Sequence, residues 1–212
     1  MSRFVYLHGF ASGPLSTKAQ YFRARFAELG HDLTIPDLAP DFTNMTVTSQ
    51  LAVVEPLLDP DGSVLLGSSM GGYLAALLGA REPARVRCLV LMAPAFDFVI
   101  RWQEEVGPEA MHRWRERGTA PVMHYGRERE ERLSIALLDD AATYPPEPDP
   151  TCPALVLTGR RDDQVPVAVV EHFAAHRRER ELVIYDSDHQ LTDVTPQMWD
   201  RTRRFLDAQG LL

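Results

Sequence analysis

Six short apolar runs punctuate the chain: Phe4–Leu7, Leu33–Ile35, Val64–Leu66, Val86–Met92, Leu155–Leu157 and Leu182–Tyr185. They are largely continuous rather than alternating, the pattern of parallel strands covered on both faces. Amphipathic stretches separate them. Phe22, Phe26 and Leu29 recur at helical spacing ahead of Gly30, a residue suited to ending a helix. Leu74, Leu77 and Leu78 mark a second helix, Val169, Val170 and Phe173 a third, and Met198, Phe205 and Leu206 the last. This alternation predicts an α/β fold: a doubly wound, mostly parallel sheet of about six strands with helices on both faces.

From about Asp97 to Thr151 the rhythm stops. Charge-rich stretches around Trp102–Arg117 and Gly126–Leu138 are expected to be helical, and Pro145, Pro146, Pro148, Pro150 and Pro153 follow. The interval is too long for an ordinary loop, so a small helical cap over approximately residues 97–151 is expected, returning through a stiff linker. A single domain, 1–212, accommodates the whole.

Composition excludes several function classes. A formal net charge of −8 opposes a nucleic-acid partner, since phosphate binding needs clustered positive charge. Arg127, Glu128, Arg129, Glu130, Glu131 and Arg132 alternate in sign and read as a solvated face. Cys88 lies inside one apolar run and Cys152 just ahead of another, so neither a disulfide framework nor a metal cluster is expected. A strand starting near Phe4 leaves no room for a signal peptide, and no apolar stretch reaches membrane-spanning length. A cytoplasmic protein without a membrane partner is the expectation, and no oligomeric state is assigned.

The chemistry concentrates at strand ends. Gly67-Ser68-Ser69-Met70-Gly71 follows Val64–Leu66 and opens a helical pattern, the strand–turn–helix setting of a nucleophile elbow. Ser69 is the candidate nucleophile. A serine hydroxyl needs a base, and the base needs an orienting group; in this fold they follow in the order Ser, acid, His. The run Thr158–Pro166 supplies Asp162 and Asp163 after one strand, and Asp186–Leu191 supplies His189 after the next. Ligand groups in open α/β sheets gather at such carboxyl ends. The second oxyanion donor is expected from Leu7-His8-Gly9-Phe10, which assigns the Phe10 N–H beside the Met70 N–H. His8 then shapes a turn. His172 and His176 stand four apart on a helix, a metal-compatible spacing, but no third ligand lies nearby in sequence, so a solvated face is preferred and no metal is expected.

Tyr6–Phe10, Ser16-Thr17-Lys18-Ala19 and Leu66–Tyr73 resemble the small YqiA/YcfP-type esterases of the α/β-hydrolase superfamily. From Cys152-Pro153 through Arg161–Pro166 and Ser187-Asp188-His189, the chain is more similar to the palmitoyl-protein thioesterase and acyl-glucuronide deacylase branch, as is the segment carrying Ala93–Phe98 and Trp102. The resemblance implies a minimal α/β-hydrolase fold, ester or thioester hydrolysis through an acyl-enzyme, and Asp162 as the acid. The mitochondrial address of that branch does not carry over, and two N-terminal strands of larger members have no counterpart.

The expected function is therefore serine hydrolysis of a small-molecule ester or thioester with a small to medium acyl group, without cofactor. A peptidase or amidase on the same scaffold is one alternative. A non-catalytic small-molecule receptor is another, which a burst of product from an activated ester would exclude. Phe96, Phe98 and Trp102, with Met70 and Leu191, are expected to line an apolar acyl pocket unless they only pin the insertion to the sheet.

Overall fold

The computed structural model describes residues 3–212. In chain order it opens with β1 (Arg3–Leu7), α1 (Thr17–Glu28), β2 (Leu33–Thr34) and α2 (Val47–Val54). Then come β3 (Ser63–Ser68), α3 (Met70–Arg81) and β4 (Val86–Met92). The segment that follows holds α4 (Phe98–Val106), α5 (Pro108–Arg117), β5 (Thr119–His124), β6 (Arg129–Ser134) and α6 (Ala136–Ala141). The chain returns through β7 (Ala154–Gly159), α7 (Val167–Ala175), β8 (Arg180–Tyr185) and α8 (Thr195–Ala208).

Six strands form one sheet in the order β2-β1-β3-β4-β7-β8, every neighbouring pair parallel. Alternate side chains enter two separate cores, which is why the runs are apolar throughout. Phe4, Tyr6, Val64, Leu66, Val90 and Leu155 meet α1 and α8 through Phe22, Phe26, Met198 and Phe205. Val5, Leu7, Leu65, Leu89, Leu91 and Val156 meet α2, α3 and α7 through Leu51, Leu74, Leu78, Val170 and Phe173. The order reverses direction beside β1, with β2 on one side and β3 on the other. Such a switch opens a crevice at the carboxyl ends of the strands.

The insertion is not wholly helical. Residues expected as helix between Gly126 and Leu138 instead supply β6, which pairs antiparallel with β5 from Thr119↔Ser134 to His124↔Arg129. The reason is that this hairpin fully buries only His124 and Leu133, so no apolar alternation betrays it. Arg129 and Glu131 lie two apart and pair at 2.9 Å, as neighbours on one strand face do. Helix α2 also lacked a forecast. Thr46 caps it, accepting from the Ser49 N–H while the Ser49 hydroxyl accepts from the Thr46 N–H, and Val47, Leu51 and Val54 are buried. The proline-rich return is bonded along its length. Pro145 O accepts from the Tyr73 hydroxyl, Pro146 O from the Asp97 N–H, and Asp149 and Pro150 O from Arg180. No helix among the described residues is long and apolar enough to cross a membrane.

Candidate active site

Ser69 stands between β3 and α3 at φ 53° and ψ −118°, a left-handed conformation costly for a residue with a side chain. Its neighbours enforce it. The Ser69 N–H donates to Met92 O at 2.9 Å, while Ser69 O accepts from the Gly72, Tyr73 and Ala95 N–H groups. The turn closes only over glycines: a Cβ on Gly67 would lie 2.2 Å from Gly71 O, and one on Gly71 would lie 2.0 Å from Leu7 O. Ser68 and Met70 are buried, whereas Ser69 is half-buried and reachable.

His189 arrives from the loop after β8. His189 Nε2 lies 3.0 Å from Ser69 Oγ, and its Nδ1 lies 3.0 and 2.9 Å from the two oxygens of Asp162. Asp162 Oδ1 also accepts from the Gln164 and Val165 N–H groups at 2.9 and 2.7 Å. With no proton of its own, the carboxylate fixes Nδ1 as the protonated ring nitrogen and leaves Nε2 free to accept from Ser69. Gly159 lets the two loops meet, since a Cβ there would lie 2.5 Å from both Ser187 O and Asp188 O. Asp163, next in sequence, is exposed.

The Phe10 and Met70 N–H groups lie at the ends of β1 and β3, and no hydrogen bond among the described residues engages either. The Phe10 ring meets Trp102 edge-on at 5.0 Å, and Trp102 in turn meets Phe98 at 6.4 Å and Trp114 at 5.9 Å. Helix α4 therefore sits against the loop that carries Phe10. Two expected pocket residues are elsewhere. Phe96 is fully buried against Phe173 at 4.5 Å, and Leu191 is fully buried in the core beneath α1 and α8. Both give their surface to packing and present none to a ligand. Phe98 is nearly buried, so Phe10 and Trp102 are the half-exposed aromatics of this cluster.

His8 braces a turn. Its Nε2 accepts from the Leu38 N–H at 3.2 Å and its Nδ1 lies 3.0 Å from Gly9 O, a pairing that needs the neutral ring; burial lowers its pKa accordingly. Several residues without a forecast role also stand here. Lys18 is buried with its Nζ 3.0 Å from Ser68 Oγ, and Arg101 on α4 holds a buried Nη1 with no hydrogen-bond partner among the described residues. Lys18 stood in a recognisable tetrapeptide, but its depth depends on the fold. Farther off, Glu147 of the proline-rich return joins His172 and His176, supplying the third group that sequence proximity could not reveal.

A family model, that of the uncharacterised protein family UPF0227, matches residues 3–206. The chain belongs to UPF0227. Among solved structures, this UPF0227 chain superposes on a provisionally named hydrolase from Agrobacterium vitis S4 with a TM-score of 0.83 at 25% identity, covering 96% of this chain and 87% of that one. Alpha/beta hydrolase domain-containing protein 10 from mouse matches with a TM-score of 0.81 at 20% identity, over 97% of this chain and 90% of its own. Est1E from Butyrivibrio proteoclasticus gives 0.75 at 19%, over 97% and 88%. The UPF0227 fold here is thus the α/β-hydrolase fold, in agreement with the resemblance to YqiA/YcfP-type proteins.

Proposed function

We propose that this protein is a serine hydrolase that cleaves carboxylic esters or thioesters of small to medium acyl groups. One observation carries the reading: an unbroken chain of hydrogen-bond contacts from Ser69 Oγ through His189 to Asp162, at 3.0 Å on one side of the ring and 2.9–3.0 Å on the other. Ser69 Oγ attacks the acyl carbonyl as its proton passes to His189 Nε2. Asp162 holds the ring and stabilises the imidazolium that forms. The Phe10 and Met70 N–H groups receive the oxyanion, each such donor contributing about 10²–10³ in turnover. The proton on Nε2 then leaves with the alcohol or thiol, and the acyl group remains on Ser69. Water, deprotonated by His189, releases the acid. The α/β-hydrolase fold shared with the solved relatives supports a hydrolase, and helix α4, whose Trp102 meets the Phe10 ring, is read as part of a cap.

The test is covalent labelling with a fluorophosphonate, followed by p-nitrophenyl esters and acyl thioesters of increasing length. Ser69→Ala is expected to abolish labelling and to lower turnover by roughly 10⁶ while the fold persists. Ser68 is the rival hydroxyl. Labelling that survives Ser69→Ala and vanishes in Ser68→Ala overturns the assignment.

A further inference from the structure

Lys18 is an expensive residue to bury. It is 9% exposed on the first turn of α1, against the end of β3. Lys is among the side chains least often enclosed, because its ammonium loses water that a protein interior seldom replaces. Here Nζ donates to Ser68 Oγ at 3.0 Å, immediately before the nucleophile. The Tyr6 hydroxyl of β1 engages the same Ser68 side chain. Asp162 and Asp188, from the loops after β7 and β8, lie within the field of the ammonium and favour its charge. These groups come from the carboxyl ends of four strands, β1, β3, β7 and β8.

We infer that Lys18 is a positioning residue for the reaction. Its ammonium ties Ser68 to α1, fixing the backbone that presents Ser69, and offsets the carboxylates beside His189. The inference rests on the reading of Ser69 as nucleophile. Lys18→Met and Lys18→Gln test it with p-nitrophenyl acetate. Both are expected to lower kcat by about 10- to 100-fold with KM little changed, the scale of a small misplacement of a reacting group. Burial brings the Lys18 pKa down to about 8, so kcat of the parent protein should decline as pH rises past that point. The decline should vanish in both variants. A residue that merely props up the fold would instead leave the pH profile unmoved and lower the urea midpoint at pH 7. Unchanged kcat, a persistent alkaline decline, or failure of both variants to fold at pH 7 overturns the inference. Fluorophosphonate labelling separates the two readings: an unlabelled Ser69 in the parent protein defeats the nucleophile assignment itself.

A different observation carries a second site. His172 and His176 lie on one face of the α7 C-terminal end, with ring centroids 4.2 Å apart. Glu147 reaches both, Oε2 to His172 Nδ1 at 3.1 Å and Oε1 to His176 Nδ1 at 3.5 Å. One ligand atom from each residue falls within 4.8 Å of the others. Zinc bonds of about 2.0–2.2 Å give a tetrahedral site edges of roughly 3.3–3.6 Å, so small rotations of exposed side chains suffice. The donor set, two imidazoles and a carboxylate, suits Zn²⁺ or Ni²⁺ and leaves a position for water.

We propose that these three residues bind a divalent transition metal that clamps the proline-rich return onto α7. Calorimetry on untagged protein with Zn²⁺ alone is expected to give one site of micromolar affinity at pH 7.5 and to raise the thermal midpoint. His172→Ala, His176→Ala and Glu147→Gln should each weaken binding at least about tenfold, the usual order for loss of a ligand or its support. Esterase turnover of the parent protein should not depend on the metal. Absence of binding at millimolar zinc, or binding unaltered by all three substitutions, overturns the proposal.

Discussion

Asp162 and Asp163 share chemistry and differ in surroundings. Asp162 accepts from two backbone N–H groups besides His189, so its carboxylate cannot turn away from the ring, whereas Asp163 faces solvent. Asp162→Asn is expected to lower turnover by roughly 10⁴, because the amide no longer fixes the productive tautomer. Asp163→Asn should leave steady-state kinetics within a few-fold. Lys18 provides a prediction about stability. Burial lowers its pKa from 10.5 to about 8 in the folded chain, so the unfolded chain holds the proton to higher pH. Stability therefore rises between these values, and below about pH 8 the full penalty, on the order of 3 kcal/mol, is present. Urea unfolding should show Lys18→Met gaining stability over the parent at pH 7 by up to that amount, less what the lost Ser68 contact contributes. By pH 10.5 the gain should largely disappear.

The elbow is an element-scale device, since neither β3 nor α3 alone creates the conformation of Ser69. The helix must start close enough to β1 that a Cβ on Gly71 would lie 2.0 Å from Leu7 O and 2.6 Å from His8 O, and only a residue without Cβ permits the approach. Gly71→Ala is expected to destabilise by at least about 3 kcal/mol, the upper range for overpacking, because backbone rather than a flexible side chain must yield. Thermal unfolding and fluorophosphonate labelling check it, with loss of labelling at temperatures where the fold survives. Loops after other strands also hold non-glycine residues at positive φ: Ala11, Ala93, Asp97 and Leu191. Such conformations persist where the surroundings over-determine them. Here they gather around the same sheet edge as Ser69.

At the scale of the molecule, the insertion and the sheet meet through aromatics. Trp102 bridges Phe10 of the β1 loop and Trp114 of α5, and the Trp114 indole N–H donates to Leu133 O of the hairpin. The hairpin is held in turn by the Ser134 N–H on Thr43 O. Arg180, stacked on Phe173 at 3.8 Å, pins the return linker from below. On the proposal that Phe10 supplies an oxyanion donor, Trp102, edge-on to the Phe10 ring at 5.0 Å, is proposed to meet the acyl chain. Each methylene buried there should contribute about 0.8 kcal/mol until the space is filled. The kcat/KM of straight-chain p-nitrophenyl esters is expected to climb from acetyl to an optimum at short or medium length. Trp102→Ala should move that optimum while acetyl ester turnover persists. A flat profile in both proteins would show that the insertion does not govern acyl length.

The six sheet strands, the helices around Phe22, Leu74, Val170 and Phe205, and the loops bearing Ser69, Asp162 and His189 were legible in the sequence. Local patterning suffices there: buried parallel strands must be continuously apolar, and a strand-to-helix turn this tight must use glycine. Elements without an apolar pattern of their own, and contacts made by docking, were not legible. The β5–β6 hairpin carries charge on both faces and is held by backbone bonds, which no side-chain periodicity reports. Phe96 and Leu191 read as pocket residues from their places at strand ends, yet the loops turn both inward, and a one-residue change of direction is invisible to composition. Lys18 beneath Ser68, and Glu147 beside His172 and His176, are meetings of residues far apart in the chain. Only the crossovers and the return linker bring them together, because which surfaces touch depends on how elements dock, not on what any one segment prefers alone.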